Sequence, residues 1–328
     1  MISTQKIGID IGYNSTVFHG KNHNGAFRSV VSPFNGGELD RSYREKHIIE
    51  LDDGTAWYVG QTAVERGNPM FPDVNRGWVT TDGYYRLFIA ALSLAVHQTA
   101  AVDIVTGLPI EYLANDRQSV VDTMIGEHTF SRVGKPTQTV TVNSVTVLPQ
   151  GSGAFFGKLF PQSGGFDSDL MGSNVGIIDF GGKTTGFLTV KNGGMSAVHS
   201  ASIAKGGLDV FRELKRILAD SIPKSRSDFA LIKDMENGYT KAYGRKVPLV
   251  DQTKRASGEA GGMIVSKATD LFTGGFDLDT IILCGGGVHL FGGYIKEAFP
   301  HSVVVTAEKP QMANAIGYYQ FGVNNGQQ

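Results

Sequence analysis

"VGIIDFGGKTTGFLTV", residues 175–190, is an apolar run that meets an aspartate, turns on two glycines and continues with two threonines. Asp179 sits among Ile177, Ile178 and Phe180, where a carboxylate is costly unless something pairs with it. The same pattern occurs near the N-terminus in "IGIDIGYNSTVF", residues 7–18. Ile9, Asp10 and Gly12 fall on Ile178, Asp179 and Gly181, each pair 169 residues apart. Ser15, Thr16 and Phe18 fall on Thr184, Thr185 and Phe187. An offset of half the 328-residue chain points to two related halves. A solenoid, with a period of roughly 20–50 residues, is excluded.

The chain is long enough to bury a large core in two domains, and its 41% hydrophobic and 19% charged content is that of an ordinary soluble protein. Thirty basic residues against 31 acidic ones give no global attraction for nucleic acid or an anionic membrane. The single cysteine, Cys284, excludes an internal disulfide and a multi-cysteine metal site. Within "TIILCGGG" it reads as a small buried strand residue rather than a nucleophile. The opening "MISTQKIGID" lacks the charged and apolar regions of a secretory signal, so a cytoplasmic location is expected. The most apolar long window, residues 87–105, is broken by His97, Gln98 and Thr99 and reads as a buried helix followed by a strand.

Strand-like runs are "KIGIDIG", "VDIVTGLP", "VTVNSVTVLP", "NVGIIDFG", "TGFLTVKNG", "TIILCGGG" and "SVVVTAE". Helical periodicity marks 83–98, 112–125, 207–220, 255–272 and 289–298. Their alternation predicts an α/β architecture. Segment 20–80, with "NGGELD" and "LDDGTAWYVGQ", reads as a small β-rich insertion, and 221–254 as a second, more helical and basic one. Each half is thus an α/β core carrying a smaller subdomain, with a cleft between the halves as the expected ligand site.

A strand ending in Asp-x-Gly, followed by small and hydroxyl residues, makes a hairpin with backbone N–H groups and hydroxyls at its tip. Such a concavity can cradle phosphate oxygens. The aspartates would then hold Mg²⁺, mostly through water, and orient a water for attack. The plainer reading of either turn alone is a hairpin whose aspartate caps its own backbone. Residues 280–299, "TIILCGGGVHLFGGYIKEAF", add a buried strand, three glycines and a helix. That turn can accept phosphate or a flat ring against bare backbone. It is neither a P-loop nor a Rossmann fingerprint, and the alternative is a tight turn that needs glycine for packing.

Together these stretches resemble the actin-like ATPase superfamily. "IGIDIGYNST" is similar to its phosphate-1 region, "VTVLPQGSGAFFG" to connect-1 and "IIDFGGKTTGF" to phosphate-2. "IILCGGGVHLFGG" is similar to the adenosine motif and "KPQMANAIGYYQFG" to connect-2. "VDIVTGLPIEYLANDRQ", residues 102–118, adds a likeness to plasmid-segregation actins of the ParM/StbA type. The resemblance implies an actin-like fold, a duplicated ribonuclease-H-like core around a nucleotide cleft. It implies a first domain at 1–172 with its insertion at about 20–80, and a second at 173–309 with its insertion at about 207–255. A helix in 310–328 would return to the first domain. It also implies ATP (GTP being the alternative) with Mg²⁺, filaments of like subunits, and a DNA-binding adaptor on plasmid DNA, without direct nucleic-acid or membrane binding.

Carried over by residue, the resemblance assigns Asp10 and Asp179 to the metal- and water-orienting aspartates. Gly12, Asn14, Ser15 and Thr16 fall on the first phosphate loop, and Gly181, Gly182, Lys183 and Thr184 on the second. Gln150 falls where a glutamate or glutamine positions the attacking water. Gly285, Gly286 and Gly287 fall on the adenosine turn, and Gly206, Gly207 and Asp209 open a helix beside the ribose. Lys233 and Glu236 lie where base- and ribose-contacting residues occur, with a solvated helix face as the plainer reading. Two positions depart from the pattern: Val17 where many relatives place lysine, and Gly186 where many place aspartate. Lys183 is the candidate replacement cation, a solvent-pointing lysine being the alternative.

The leading functional expectation is a slow ATPase coupled to filament assembly. A small-molecule kinase of the same core would need a carboxylate base at an acceptor pocket, and no sugar-contacting Glu-x-Gly-His cluster is present. A nucleotide-holding scaffold with little turnover is the third reading.

Overall fold

The computed structural model describes residues 4–34, 48–72, 77–219, 221, 228–242 and 244–325. The chain divides into two units, Met1–Gly172 with Ala307–Gln328, and Ser173–Thr306.

In chain order the first unit holds β1 (Gln5–Ile11), β2 (Ser15–Gly20), β3 (Asn24–Arg28), β4 (Val31–Pro33), β5 (Ile48–Leu51) and β6 (Ala56–Val59). It continues with α1 (Gln61–Arg66), α2 (Asp82–Ala95), β7 (Ala100–Leu108), α3 (Ile110–Met124), β8 (Gly126–Arg132), β9 (Gln138–Pro149), α4 (Ser152–Leu159) and α5 (Ser168–Gly172). The second unit holds β10 (Asn174–Phe180), β11 (Thr185–Lys191), β12 (Gly194–Ile203), α6 (Gly207–Ile217), α7 (Asp228–Asn237) and β13 (Tyr239–Ala242). It ends with β14 (Arg245–Pro248), α8 (Val250–Leu271), β15 (Thr280–Cys284), α9 (Val288–Ala298) and β16 (Val303–Thr306). The chain then returns to the first unit as α10 (Ala313–Asn325).

The main sheet of the first unit runs β3-β2-β1-β7-β9-β8-β5-β6-β4, and that of the second β12-β11-β10-β15-β16. Strands β3 to β9 of the first order match the second in sequence and direction. In each, an antiparallel meander feeds a strand that pairs parallel with a later one, which pairs parallel with another. The short repeat is therefore the visible part of a duplicated sheet.

Strand periodicity places the site residues. Ile7, Ile9 and Ile11 point to one face of β1 and join the core with Leu87, Phe88 and Ala91 of α2. Gly8 and Asp10 fall on the other face, against α10, where a Cβ on Gly8 would strike the Ala315 carbonyl and the Tyr319 nitrogen. Glycine inside a strand marks such a backbone approach. In β10, Ile178 and Phe180 join the core with Phe291, Ile264 and Leu214, leaving Asp179 on the opposite face. Residues 87–105 form the buried end of α2 and the start of β7, capped at Thr81, whose hydroxyl accepts from the Tyr84 N–H at 3.3 Å. Among the described residues no helix is long and apolar enough to cross a membrane. Cys284 is fully buried in β15.

The two insertions differ from the reading of the sequence. Residues 24–28 are the third strand of the duplicated core, and β4, β5 and β6 extend the same sheet through β8 rather than forming their own. An edge strand such as β3 exposes alternate residues, and its polar sequence imitates a loop. In the second unit, α6 and α8 share one core through Val210, Phe211, Leu214, Ala256 and Ala260, so the insertion between them is reduced to α7 and the β13–β14 hairpin. Residues 35–40 and part of 221–254 lie outside the described residues.

Candidate functional site

The two Asp-x-Gly turns have the same construction. In the first, Asp10 stands opposite Val17 and Ile11 opposite Thr16, and the Gly12 N–H closes the turn on the Ser15 carbonyl at 3.0 Å. In the second, Asp179 stands opposite Gly186 and Phe180 opposite Thr185, and the Gly181 N–H closes on the Thr184 carbonyl at 2.9 Å. A Cβ at either glycine would crowd the accepting carbonyl, at 3.0 Å from Ser15 and 2.7 Å from Thr184. Glycine is thus set by the turn itself. Both aspartates are buried, at 8% and 6% exposure, while Gly12, Ser15 and residues 181–184 are half-buried and Asn14 is exposed.

Equivalent threonines brace the turns from behind. Thr16 shares a 2.9 Å hydroxyl bond with Ser29, which donates onward to the Gly12 carbonyl at 2.6 Å. Thr185 donates to the Lys205 carbonyl at 2.8 Å. The start of α6 completes the second brace, with Gly207 N–H on the Gly181 carbonyl at 3.1 Å and Leu208 N–H on the Gly182 carbonyl at 2.8 Å. Gly206 has no room for a Cβ, which would lie 2.6 Å from the Gly181 oxygen. Asp209 accepts from the Gly206 N–H at 2.9 Å and stands 3.9 Å from the Lys205 ammonium, so one of its roles is to cap α6.

The triple-glycine turn packs on the second Asp-x-Gly turn. Gly287 N–H donates to the Phe180 carbonyl at 2.9 Å. Gly285 has φ +88°, and a Cβ there would run into Asp179 Oδ1 and the Phe180 carbonyl. Gly286 alone of the three is exposed.

In the first unit, Asp10 gathers polar partners from two elements. Gln150 Nε2 donates to Asp10 Oδ1 at 3.4 Å, and Asn314 Nδ2 donates to Asp10 Oδ2 at 3.2 Å. Gln311 Nε2 donates to the Ser15 hydroxyl at 3.0 Å. Burial, with the Asp10 carboxylate adding to it, pushes the Tyr84 phenol above its usual range. The structure thus groups Asp10, Gly12, Ser15, Thr16 and Gln150 in one unit. It groups Asp179, Gly181, Gly182, Thr185, Gly206, Gly207, Gly285 and Gly287 in the other. Lys183 is half-buried in its turn, and Lys233 lies exposed on α7. The Glu236 side chain lies outside the described residues. Ser29, Tyr84 and Asn314 escaped the sequence reading. Only Asn314 left a signal there, as a polar residue inside the small-residue run "ANAIG".

Among the described residues no three His, Cys, Asp or Glu side chains converge as a metal site. A cation at Asp10 or Asp179 would complete its shell with ligand or water oxygens, the habit of Mg²⁺. Buried carboxylates beside glycine turns without side-chain bulk fit Mg²⁺ and phosphate.

Two family models match the chain: actin-like proteins, N-terminal domain, over residues 8–153, and archaeal actin homologue MreB-like, C-terminal, over residues 177–297. A 15-stranded ParM filament from Clostridium botulinum has a similar fold, with TM-score 0.83 and 22% identity over 98% of this chain and 100% of that one. An archaeal actin homologue in complex with ADP matches with TM-score 0.78 and 19% identity over 100% of both chains. ParM from Bacillus thuringiensis with AMPPNP matches with TM-score 0.74 and 16% identity over 98% and 99%. No curated protein matches the chain.

Proposed function

The chain belongs to the actin-like proteins, and on that premise we propose that it is a nucleotide-dependent, filament-forming ATPase. The observation that carries this reading is the pair of phosphate-type turns, alike in register, closing bond and threonine brace. Fold neighbours that include a ParM filament and complexes with ADP and AMPPNP support it.

In this reading each turn is a phosphate-binding loop for ATP or GTP: Gly12, Asn14 and Ser15 in the first, braced by Thr16, and Gly181, Gly182, Lys183 and Thr184 in the second. Asp10 and Asp179 are the carboxylates that would attract Mg²⁺, which when bound supplies positive charge against the phosphates. Gly206, Gly207, Asp209 and the Gly285–Gly287 turn receive the nucleoside. Gln150 has its amide nitrogen turned to Asp10, so its oxygen is the atom that accepts a hydrogen bond from the attacking water. A neutral amide orients water without serving as a strong base, which suits slow turnover. ATP favours assembly of like subunits and hydrolysis weakens it, so the nucleotide acts as a switch. The cargo in this reading is plasmid DNA, reached through a DNA-binding adaptor.

Sedimentation and light scattering with ATP, ADP or no nucleotide test the proposal, with phosphate release followed in parallel. Scattering that rises with ATP and decays as phosphate appears is the expected result. Assembly indifferent to nucleotide would overturn it.

A further inference from the structure

The first turn of α10 is held between two pieces of the Asp10 site. Asn314, 5% exposed, accepts from the Gly151 N–H at 3.1 Å through Oδ1 and donates to Asp10 Oδ2 at 3.2 Å through Nδ2. Only one orientation of the amide satisfies both neighbours, because the flipped one would set its oxygen against a carboxylate and its nitrogen against an N–H. The backbone around Asn314 has little room to shift. A Cβ at Gly153 would overlap the Asn314 main chain, and a Cβ at Gly317 would overlap the Gly153 carbonyl.

Gly151 is the residue after Gln150, so a single side chain ties Asp10 to the turn that carries Gln150. The Gln150–Asp10 bond is itself long at 3.4 Å and would hold neither group firmly. We propose that Asn314 is a positioning residue that fixes the Asp10 carboxylate and, through Gly151, the place of Gln150 beside it. This rests on the ATPase reading for its consequence, though not for the contact itself. Asn314 touches no reacting atom in this proposal; it acts through Asp10 and Gln150.

Two variants separate its two bonds. Asn314→Ala removes both. Asn314→Asp keeps the acceptor for Gly151 but replaces the donor facing Asp10 with a second carboxylate. Both would slow single-turnover phosphate release by roughly tenfold or more, the scale of a lost hydrogen bond to a charged group, while KM for ATP moves less than about twofold. A general loosening of the fold would raise KM together with the fall in rate, and that result overturns the proposal, as does a parent rate in Asn314→Asp.

A second measurement needs no nucleotide. The shift in unfolding temperature caused by Asn314→Asp is compared in the parent and in an Asp10→Ala background. A shift clearly smaller with Asp10 absent is expected, and equal shifts overturn the contact. Should the parent release no phosphate from ATP or GTP, the functional reading falls, while the thermal cycle still decides whether Asn314 and Asp10 are coupled.

Discussion

Val17, 2% exposed, is the cross-strand partner of Asp10, and Gly186 occupies the same register opposite Asp179. Directly paired residues share a face of the sheet. The first aspartate therefore faces a packed aliphatic side chain and the second a bare backbone. These are the two positions at which the resemblance to actin-like proteins implies a lysine and an aspartate, and the register sets both beside the carboxylates.

Lys183 is the cation of the second turn, where it is half-buried. Lys183→Ala is expected to weaken ATP binding by about 1.5–3 kcal/mol, the range for a hydrogen bond to a charged group. Val17→Lys in that background should restore part of the affinity, yet lower the unfolding temperature, because a lysine stem must displace a packed valine. Titration of fluorescent ATP at fixed Mg²⁺, with a melt of each variant, reads both effects. Equal affinity in parent and Lys183→Ala would leave Lys183 without a role in binding.

Asp179→Ala and Gln150→Ala should differ in degree. Loss of Asp179 is expected to slow phosphate release by about 10²–10⁴-fold, the usual scale for a group that manages protons or water, with nucleotide-dependent assembly retained. Loss of Gln150 should cost about tenfold, because an amide only places the water. Phosphate release and scattering on the same samples check this. A parent rate in either variant removes that residue from the mechanism.

Gly285→Ala should lower unfolding free energy by about 1–3 kcal/mol or more, since it combines a left-handed φ with a collision at Asp179 Oδ1. Gly286→Ala, at an exposed position, should stay within about 0.5 kcal/mol of the parent. Urea unfolding compares them. Similar losses at both positions would mean that the turn is not seated on Asp179 as described.

Acid should weaken the fold before most carboxylates titrate. Burial holds the His19 and His128 imidazoles below the ordinary histidine range, with the Lys309 charge adding to the effect at His19. The unfolded chain takes up these protons near pH 6.5 and the native one resists them. Stability is therefore fully present above about pH 7 and declines as pH falls below about 6.5. Melting temperature measured from pH 8 to 5 should show this decline, less steep in His19→Gln. An unchanged slope in that variant would assign the acid sensitivity elsewhere.

The hairpins were legible because their grammar is local: an aspartate, a glycine two residues on, and hydroxyls that must sit on the returning strand. Repetition at a fixed offset then exposed the duplicated sheet. Contacts made across long stretches of chain left weaker traces. Ser29 lies in a connection without periodicity, and Asn314 reaches an aspartate 304 residues away. The three glycines at 285–287 read either as a ligand turn or as a tight packing turn, and two of them do pack on residues 179–180. Composition alone does not separate a glycine that admits a ligand from one that admits a neighbouring carbonyl. Asp209 poses the same difficulty, since a helix-capping carboxylate and a ribose-binding one look identical in a sequence.

The first unit is assembled from both ends of the chain. A ribosome that has delivered residues 1–172 has supplied every strand of the larger sheet but not the helix that covers β1 at Gly8 and meets Asp10. That helix follows only after another 134 residues, Ser173–Thr306, have emerged. Domains tend to fold as units during synthesis, and a unit left open on one face is exposed to misassembly while it waits. The unit encoded first is thus the one completed last, and a nascent chain halted before residue 313 would carry an intact second unit beside an open first one.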